Sequence, residues 1–339
     1  MRQPSSPTAN EKLPMARVSH SVLHPDFIAE QVAARYALPG PVKGFLLYRG
    51  INDVYLVAAG DRKYAPRVWW RGGREIDMDA VAYEVDFLDY LRQKNFPVSA
   101  PLHARDRSLY FKVDSPEGAR ALALYEWAPG KKFGDCLDEG TAFRIGAVFA
   151  QLHRHGIEYQ AGRPYDMEQV VGFRSNVPAL LDFVYDRPDD VRDFARVSEI
   201  LARRLLEIQR EDVPLGICHR DFHPSNVHVD TDGRITLLDF DGVGTDYLMQ
   251  DVQNYRWGNL FYGFDDKYAD AFDRGYESVR PFTADEKRHA DLFLLAKTFR
   301  LLSGMAHISV AVGRGTLRFR NLDWLGGYIR DKARPLGLL

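Results

Sequence analysis

Residues 218–240, CHRDFHPSNVHVDTDGRITLLDF, set a β-hairpin inside a half-chain whose periodicity is otherwise helical. NVHV and RITLLDF alternate as strands do, and DTDG between them supplies a glycine-containing turn. Asp221 and Asn226 precede the first strand and Asp239 ends the second, so all three could converge at one end of the hairpin.

Two kinds of pattern divide the rest of the chain. GFLLYRG, DVYLVAAG, KYAPRVWW, LYFKV and ALALYEW read as strands of a small antiparallel sheet beginning at about residue 41. One helix interrupts them over residues 79–94, where Val81, Val85, Leu88 and Leu91 form an apolar stripe with Glu84 at its edge. Pro and Gly in APGKKFGD, residues 128–135, mark a loop and a boundary. Beyond it, Ile145, Phe149 and Leu152 lie on one helical face that ends at Gly156 as a C-terminal cap. Leu201, Leu205 and Ile208 mark another helix, and Thr283 with Glu286 forms a capping box opening a long apolar one. The expected organisation is a flexible lead-in over residues 1–20, an N-terminal lobe over 21–127 and a C-terminal lobe over 128–339.

Composition narrows the partners. Lys and Arg number 45 against 47 Asp and Glu, so no overall field draws the chain to nucleic acid or an anionic membrane. Hydrophobic residues make up 45% of the 339, enough to fill the core of a large lobed fold. Cys136 and Cys218 are too few for a disulfide scaffold or a metal cluster and fit a reducing cytoplasm. The polar, proline-containing first stretch lacks the apolar core of a signal peptide, and no uncharged apolar run is long enough for a membrane span.

The hairpin residues match one chemistry. Moving a phosphoryl group needs a carboxylate near the attacking hydroxyl and oxygen ligands that hold Mg²⁺ on the phosphates. His-Arg-Asp, four residues, Asn, and Asp-Phe after a hairpin resemble the catalytic and metal-binding segments of the protein-kinase-like superfamily. The stretch looks most like the aminoglycoside phosphotransferase, homoserine kinase and choline kinase branch. DFDGVGTDYLMQDV passes almost directly into a helix, with no long activation segment and no Ala-Pro-Glu closure, and the nucleotide loop lacks repeated glycines.

That resemblance implies an α+β, bilobal protein-kinase-like fold: a small antiparallel sheet with one helix in the nucleotide-binding lobe, and a larger helical lobe carrying the catalytic hairpin and the acceptor site. It implies Asp221 as the catalytic carboxylate, Asn226 and Asp239 as Mg²⁺ ligands, and ATP as the donor. Gly50 and Asn52 would sit where backbone approaches the phosphates. Arg67, standing where the family often has lysine, would grip them, oriented by an ion pair with Glu84. The hinge strand would meet adenine through backbone near Glu126 and Trp127. Asp251 would cap and position rather than catalyse.

Other polar residues have plainer roles. His219 and His223 read as packed supports, Arg220 as a structural ion pair, and Trp69 and Trp70 as divided between core and surface. Asp135, Asp138, Glu139, Asp265 and Asp266 read as solvated helix ends in preference to a receptor for a cationic acceptor. Asp241 fits a second metal ligand, a substrate contact or a solvated turn equally well. The implied activity is ATP-dependent phosphoryl transfer to an alcohol of a homoserine-, choline- or aminoglycoside-like small molecule. A Ser/Thr kinase acting on a protein or peptide is the alternative, and a non-catalytic nucleotide-binding scaffold is the third. Oligomeric state is not legible.

Overall fold

The computed structural model describes residue 16 and residues 18–70, 76–159, 177–312 and 321–339. The first element, α1 (Pro25–Arg35), begins on a proline, and the His24 ring accepts the Asp26 N–H at 3.2 Å. The sequence leads one to expect a single helix in this half, and α1 is a second. Its buried face is only Ile28, Ala29 and Val32, too narrow a stripe for periodicity to reveal.

Five antiparallel strands follow: β1 (Val42–Arg49), β2 (Asp53–Ala59), β3 (Arg62–Val68), β4 (Phe111–Ser115) and β5 (Gly118–Glu126), arranged β1-β2-β3-β5-β4. Gly44 lets α1 lie directly on β1, because a Cβ there would stand 2.3 Å from the Pro25 carbonyl oxygen. Leu122 and Leu124 of β5 pack with Ile28, Val32, Tyr55 and Val57 in a small cluster under α1. Ala121, Ala123 and Tyr125 face the other way and join the main core, so β5 is buried on both faces. On that side lies α2 (Met78–Gln93), capped by Asp77 and burying Val81, Val85, Leu88, Leu91 and Glu84.

The second half holds β6 (Lys131–Lys132), α3 (Glu139–Glu158), α4 (Pro188–Ile208), β7 (Leu215–Cys218), β8 (Val227–Val229), β9 (Ile235–Leu237), β10 (Gly244–Tyr247), α5 (Leu248–Tyr262), α6 (Asp266–Glu277), α7 (Ala284–Val312) and α8 (Leu322–Ala333). β8 and β9 are the expected hairpin, with Gly233 at φ +75 in its turn and β6 added at its edge. The expected capping box is present: Thr283 N–H donates to Glu286 at 2.8 Å and Glu286 N–H to Thr283 Oγ1 at 3.1 Å. Gly156 is a correction. It lies inside α3, where a Cβ would stand 2.3 Å from the Ile217 carbonyl oxygen, so its role is to admit β7 rather than to end the helix.

The main core runs without a break from Val81 and Leu88 of α2 through Phe149 of α3 to Phe222, Tyr255 and Phe272. An antiparallel sheet region thus leads into a helical one, the α+β class expected. Of the lead-in, residues 1–15 and 17 lie outside the described residues, while Ser19 and His20 contact Trp70 as set out below. Among the described residues no helix is long and apolar enough to cross a membrane.

Candidate active site

Cys218 of β7 pairs with Gly244 of β10, so the loop leaving one strand and the segment entering the other run side by side. Arg220 in that loop has φ +66, a left-handed conformation that costs a non-glycine residue roughly 1 kcal/mol and must be held from outside. Asp251, in the first turn of α5 and fully buried, does this. It accepts the N–H groups of His219 at 2.6 Å and Arg220 at 2.7 Å, and the Asn254 amide at 3.0 Å. His153 of α3 donates Nε2 to Asp251 at 3.2 Å while its Nδ1 accepts the Tyr276 hydroxyl at 2.6 Å, the tautomer that satisfies both. Burial alone would raise the Asp251 carboxyl; its His153 hydrogen bond, the electrostatic influence of the neighbouring His153 and His219 rings and the Arg220 N–H hold it below the usual carboxylate range.

Short bonds gather the expected residues. His219 Nε2 donates to the Leu238 carbonyl at 2.8 Å, and the Asn226 carbonyl accepts the Leu238 N–H at 2.9 Å. Asn226 Nδ2 donates to the Asp221 carbonyl at 3.0 Å, which leaves its amide oxygen to act as an acceptor. Asp239, the next residue after Leu238, has φ +62. Its carboxyl is pushed up to about 7, by desolvation first and by Asp241 next, with Arg67 opposing. About half of the Asp239 side chain is open to the cleft, so water screens part of that shift. His219 is the packed support expected. His223 accepts the Ser225 N–H at 3.3 Å, and its imidazole is pulled down to about 4 chiefly by burial.

The sheet region reaches the same cluster. Arg67 of β3, buried, places Nη1 2.9 Å from Glu84 and 3.5 Å from Asp239, and Nη2 3.5 Å from Asp241. Burial works against its charge, and Glu84, ahead of Asp239 and Asp241, holds the guanidinium above its ordinary range. Glu84 also accepts Trp69 Nε1 at 3.1 Å and the Tyr125 hydroxyl at 3.3 Å, which fixes the carboxylate from three sides.

The remaining residues are held around this cluster. The Asn52 side chain donates Nδ2 to Asp241 at 3.0 Å, and its Oδ1 accepts the Trp70 N–H at 3.0 Å. Gly50 N–H turns back to the Asn52 carbonyl at 3.2 Å. Asp241 is therefore drawn into the cluster by Asn52 and Arg67, unlike a freely solvated turn carboxylate. Trp69 and Trp70 are both buried, because His20 stacks on Trp70 at 4.2 Å and Trp70 Nε1 donates to the Ser19 carbonyl at 3.0 Å. The Glu126 N–H is spent on the Ala100 carbonyl at 3.0 Å, and its carbonyl accepts Ser99 Oγ at 2.7 Å, so of the two hinge residues only Trp127 keeps its backbone outside these bonds. Asp138 and Asp265 cap α3 and α6, in keeping with helix ends. Arg220 Nε stands 3.6 Å from Asp246, the ion pair expected of it.

Lys297 of α7 is the residue that sequence reasoning missed. Its Nζ lies 2.6 Å from Asp221 Oδ1 and 3.5 Å from the Arg220 carbonyl. Burial would raise the Asp221 carboxyl, but Lys297, with His223 and His219, holds it well below the carboxylate range. The one signal was a lysine amid Leu292, Phe293, Leu294, Leu295, Ala296 and Phe299, all buried.

Comparison with known proteins identifies the family and the fold. The sequence model of the Phosphotransferase enzyme family, APH, matches residues 49–291. The chain belongs to that family. A protein of Synechocystis sp. described as uncharacterized is 27% identical over 340 residues, covering 98% of this chain and 89% of that protein. The homoserine kinase of Burkholderia lata is 28% identical over 275 residues, covering 75% of this chain and 78% of the kinase. Among solved structures, an amicoumacin kinase in complex with AMP-PNP and Ca²⁺ superposes with a TM-score of 0.69 at 18% identity, over 92% of each chain. A microcompartment-associated aminopropanol kinase does so with a TM-score of 0.69 at 21% identity, over 91% of this chain and 94% of its own. The phosphotransferase thus has the protein-kinase-like fold expected of it. In it, β10 is the only strand between Asp239 and α5, and no activation segment intervenes.

Proposed function

We propose that this phosphotransferase moves the γ-phosphoryl group of ATP to an alcohol of a small-molecule acceptor of the homoserine, choline or aminoglycoside kind. The observation that carries this is the single cluster in which Asp221, Asn226 and Asp239 meet Arg67. Asp221 would accept the proton of the acceptor hydroxyl as its oxygen bonds to the γ-phosphorus. The bond from phosphorus to the β,γ-bridging oxygen then breaks, and ADP leaves with that electron pair.

An Asn amide oxygen and an Asp carboxylate are the hard oxygen donors that Mg²⁺ selects, so Asn226 and Asp239 would hold it and it would supply charge neutralisation at the phosphates. Arg67, oriented by Glu84, would fork onto phosphate oxygens. Residues 21–127 would thus grip the nucleotide, and residues 128–339 would carry the base and the acceptor pocket.

ADP release with Mg-ATP, measured against a panel of homoserine-, choline- and aminoglycoside-like alcohols and Ser/Thr peptides, tests the reading. Turnover with a small alcohol is expected, and Asp221→Asn should lower kcat by at least about 100-fold. Equal rates in the two proteins would remove Asp221 from the chemistry, and labelling of peptides alone would replace the small-molecule acceptor.

A further inference from the structure

Lys297 is buried in a stretch of α7 that is apolar but for Thr298, and an ammonium there is unfavourable unless it is well paired. Its partner shows what the pairing serves. Arg120 and Asp53, which tie the sheet together, have side chains 1% and 0% exposed. Lys297 and Asp221 are 9% and 45% exposed. Among the described ion pairs, only Arg67 with Asp239, at 8% and 51%, has the same asymmetry of a sunken cation under a half-open carboxylate. Both such carboxylates belong to one cluster, since the charge of Asp221 acts on Asp239, and one is met from β3 and the other from α7.

The ammonium is rigidly delivered. Trp257 Nε1 donates to Thr298 Oγ1 at 2.8 Å, locking α7 against α5 beside Lys297. One turn along, Arg300 Nη1 bonds Asp246 at 2.9 Å, and Asp246 also faces Arg220 of the loop at 3.6 Å. Two cations on one face of α7 therefore brace the same loop, the first on the Asp221 carboxylate and the second through Asp246.

We propose that Lys297 is a positioning residue for Asp221: it holds Oδ1 so that Oδ2 alone meets the acceptor hydroxyl. This rests on the phosphotransfer reading above. In that step the hydroxyl proton passes to Oδ2 while the oxygen forms its bond to the γ-phosphorus and ADP departs with the electron pair of the broken bond. A carboxylate free to turn about its side-chain torsions would seldom present an oxygen at the required angle, and misplacement of about 1 Å can cost about 100-fold in rate.

Lys297→Met and Lys297→Arg in the full chain, assayed with Mg-ATP and the best alcohol of the panel, test it. Lys297→Met should lower kcat about 10- to 100-fold with the KM for ATP changed less than about threefold, and Lys297→Arg should restore most of the loss. In an Asp221→Asn background, Lys297→Met should cost less than about twofold, because the group it positions is already gone. A kcat for Lys297→Met within about twofold of wild type, or losses that multiply in the double variant, would overturn the role. Should Lys297→Met not fold, Lys297→Gln against Lys297→Arg is the same comparison, and equal rates in that pair would overturn it too. Failure of the wild type to release ADP with any acceptor would instead sink the phosphotransfer reading and this role with it. Asp221-dependent but Lys297-independent turnover would sink the positioning role alone.

Discussion

Asp251 shows how a fully buried residue can hold the loop of a site. Its two carboxylate oxygens take two backbone N–H groups of the loop, an Asn254 amide and His153, all without solvent. Asp251→Asn would aim an NH₂ at one of those donors, an uncompensated buried clash worth about 2–4 kcal/mol. Because the folded carboxyl titrates below its unfolded value, its contribution is fully present above about pH 4 and is lost as pH falls through the lower, folded value. Urea midpoints followed from neutral to acid pH should therefore show a lower plateau for Asp251→Asn and a shallower acid decline. A variant as stable as wild type at neutral pH would mean that the loop is held by something else.

At the scale of elements, α3 and α6 are pressed together at two glycines. A Cβ on Gly275 would stand 1.8 Å from the Phe143 carbonyl oxygen, and one on Gly146 would stand 2.0 Å from that of Phe272. Helix propensity alone favours Gly275→Ala by about 1 kcal/mol, yet the helices would have to part, at about 1–3 kcal/mol or more in a packed core. With a backbone oxygen only 1.8 Å away the cost lies at the upper end of that range and the clash wins, so calorimetry should record a melting temperature lower by roughly 1–3 °C. A rise would show that the helices can slide apart freely. Gly156, which sequence reading took for the end of its helix, is likewise a point of close approach, because propensity reports the isolated helix and not the neighbour pressed against it. The five strands and α2 were legible because alternation and four- and three-residue spacing are local; α1 was not, since three small apolar residues make no decisive period.

For the whole molecule, the two regions meet through charge as well as core: Arg67 touches Asp239 and Asp241, and Asn52 touches Asp241. Ligands that bind this closed cluster and not the unfolded chain must stabilise the fold. At about 100 times the dissociation constant, Mg-ATP should add about 2.7 kcal/mol, read as a rise in melting temperature. Asp239→Asn should keep the increment from ATP alone and lose the further one from Mg²⁺; an unchanged Mg²⁺ increment would remove Asp239 as a ligand. By itself the sequence determined the hairpin, the strand set and the Asp221, Asn226 and Asp239 spacing, because each follows from periodicity or from a motif short enough to be read along the chain; the pairing of Arg67 with Glu84 was implied only by the resemblance to a family. Only the tertiary structure decided that Lys297 comes to Asp221 from 76 residues away, His153 to Asp251 from 98 and Asn52 to Asp241 from 189. Contacts at such separations are chosen by how helices and sheet pack around a common core, and no local pattern of residues records that choice.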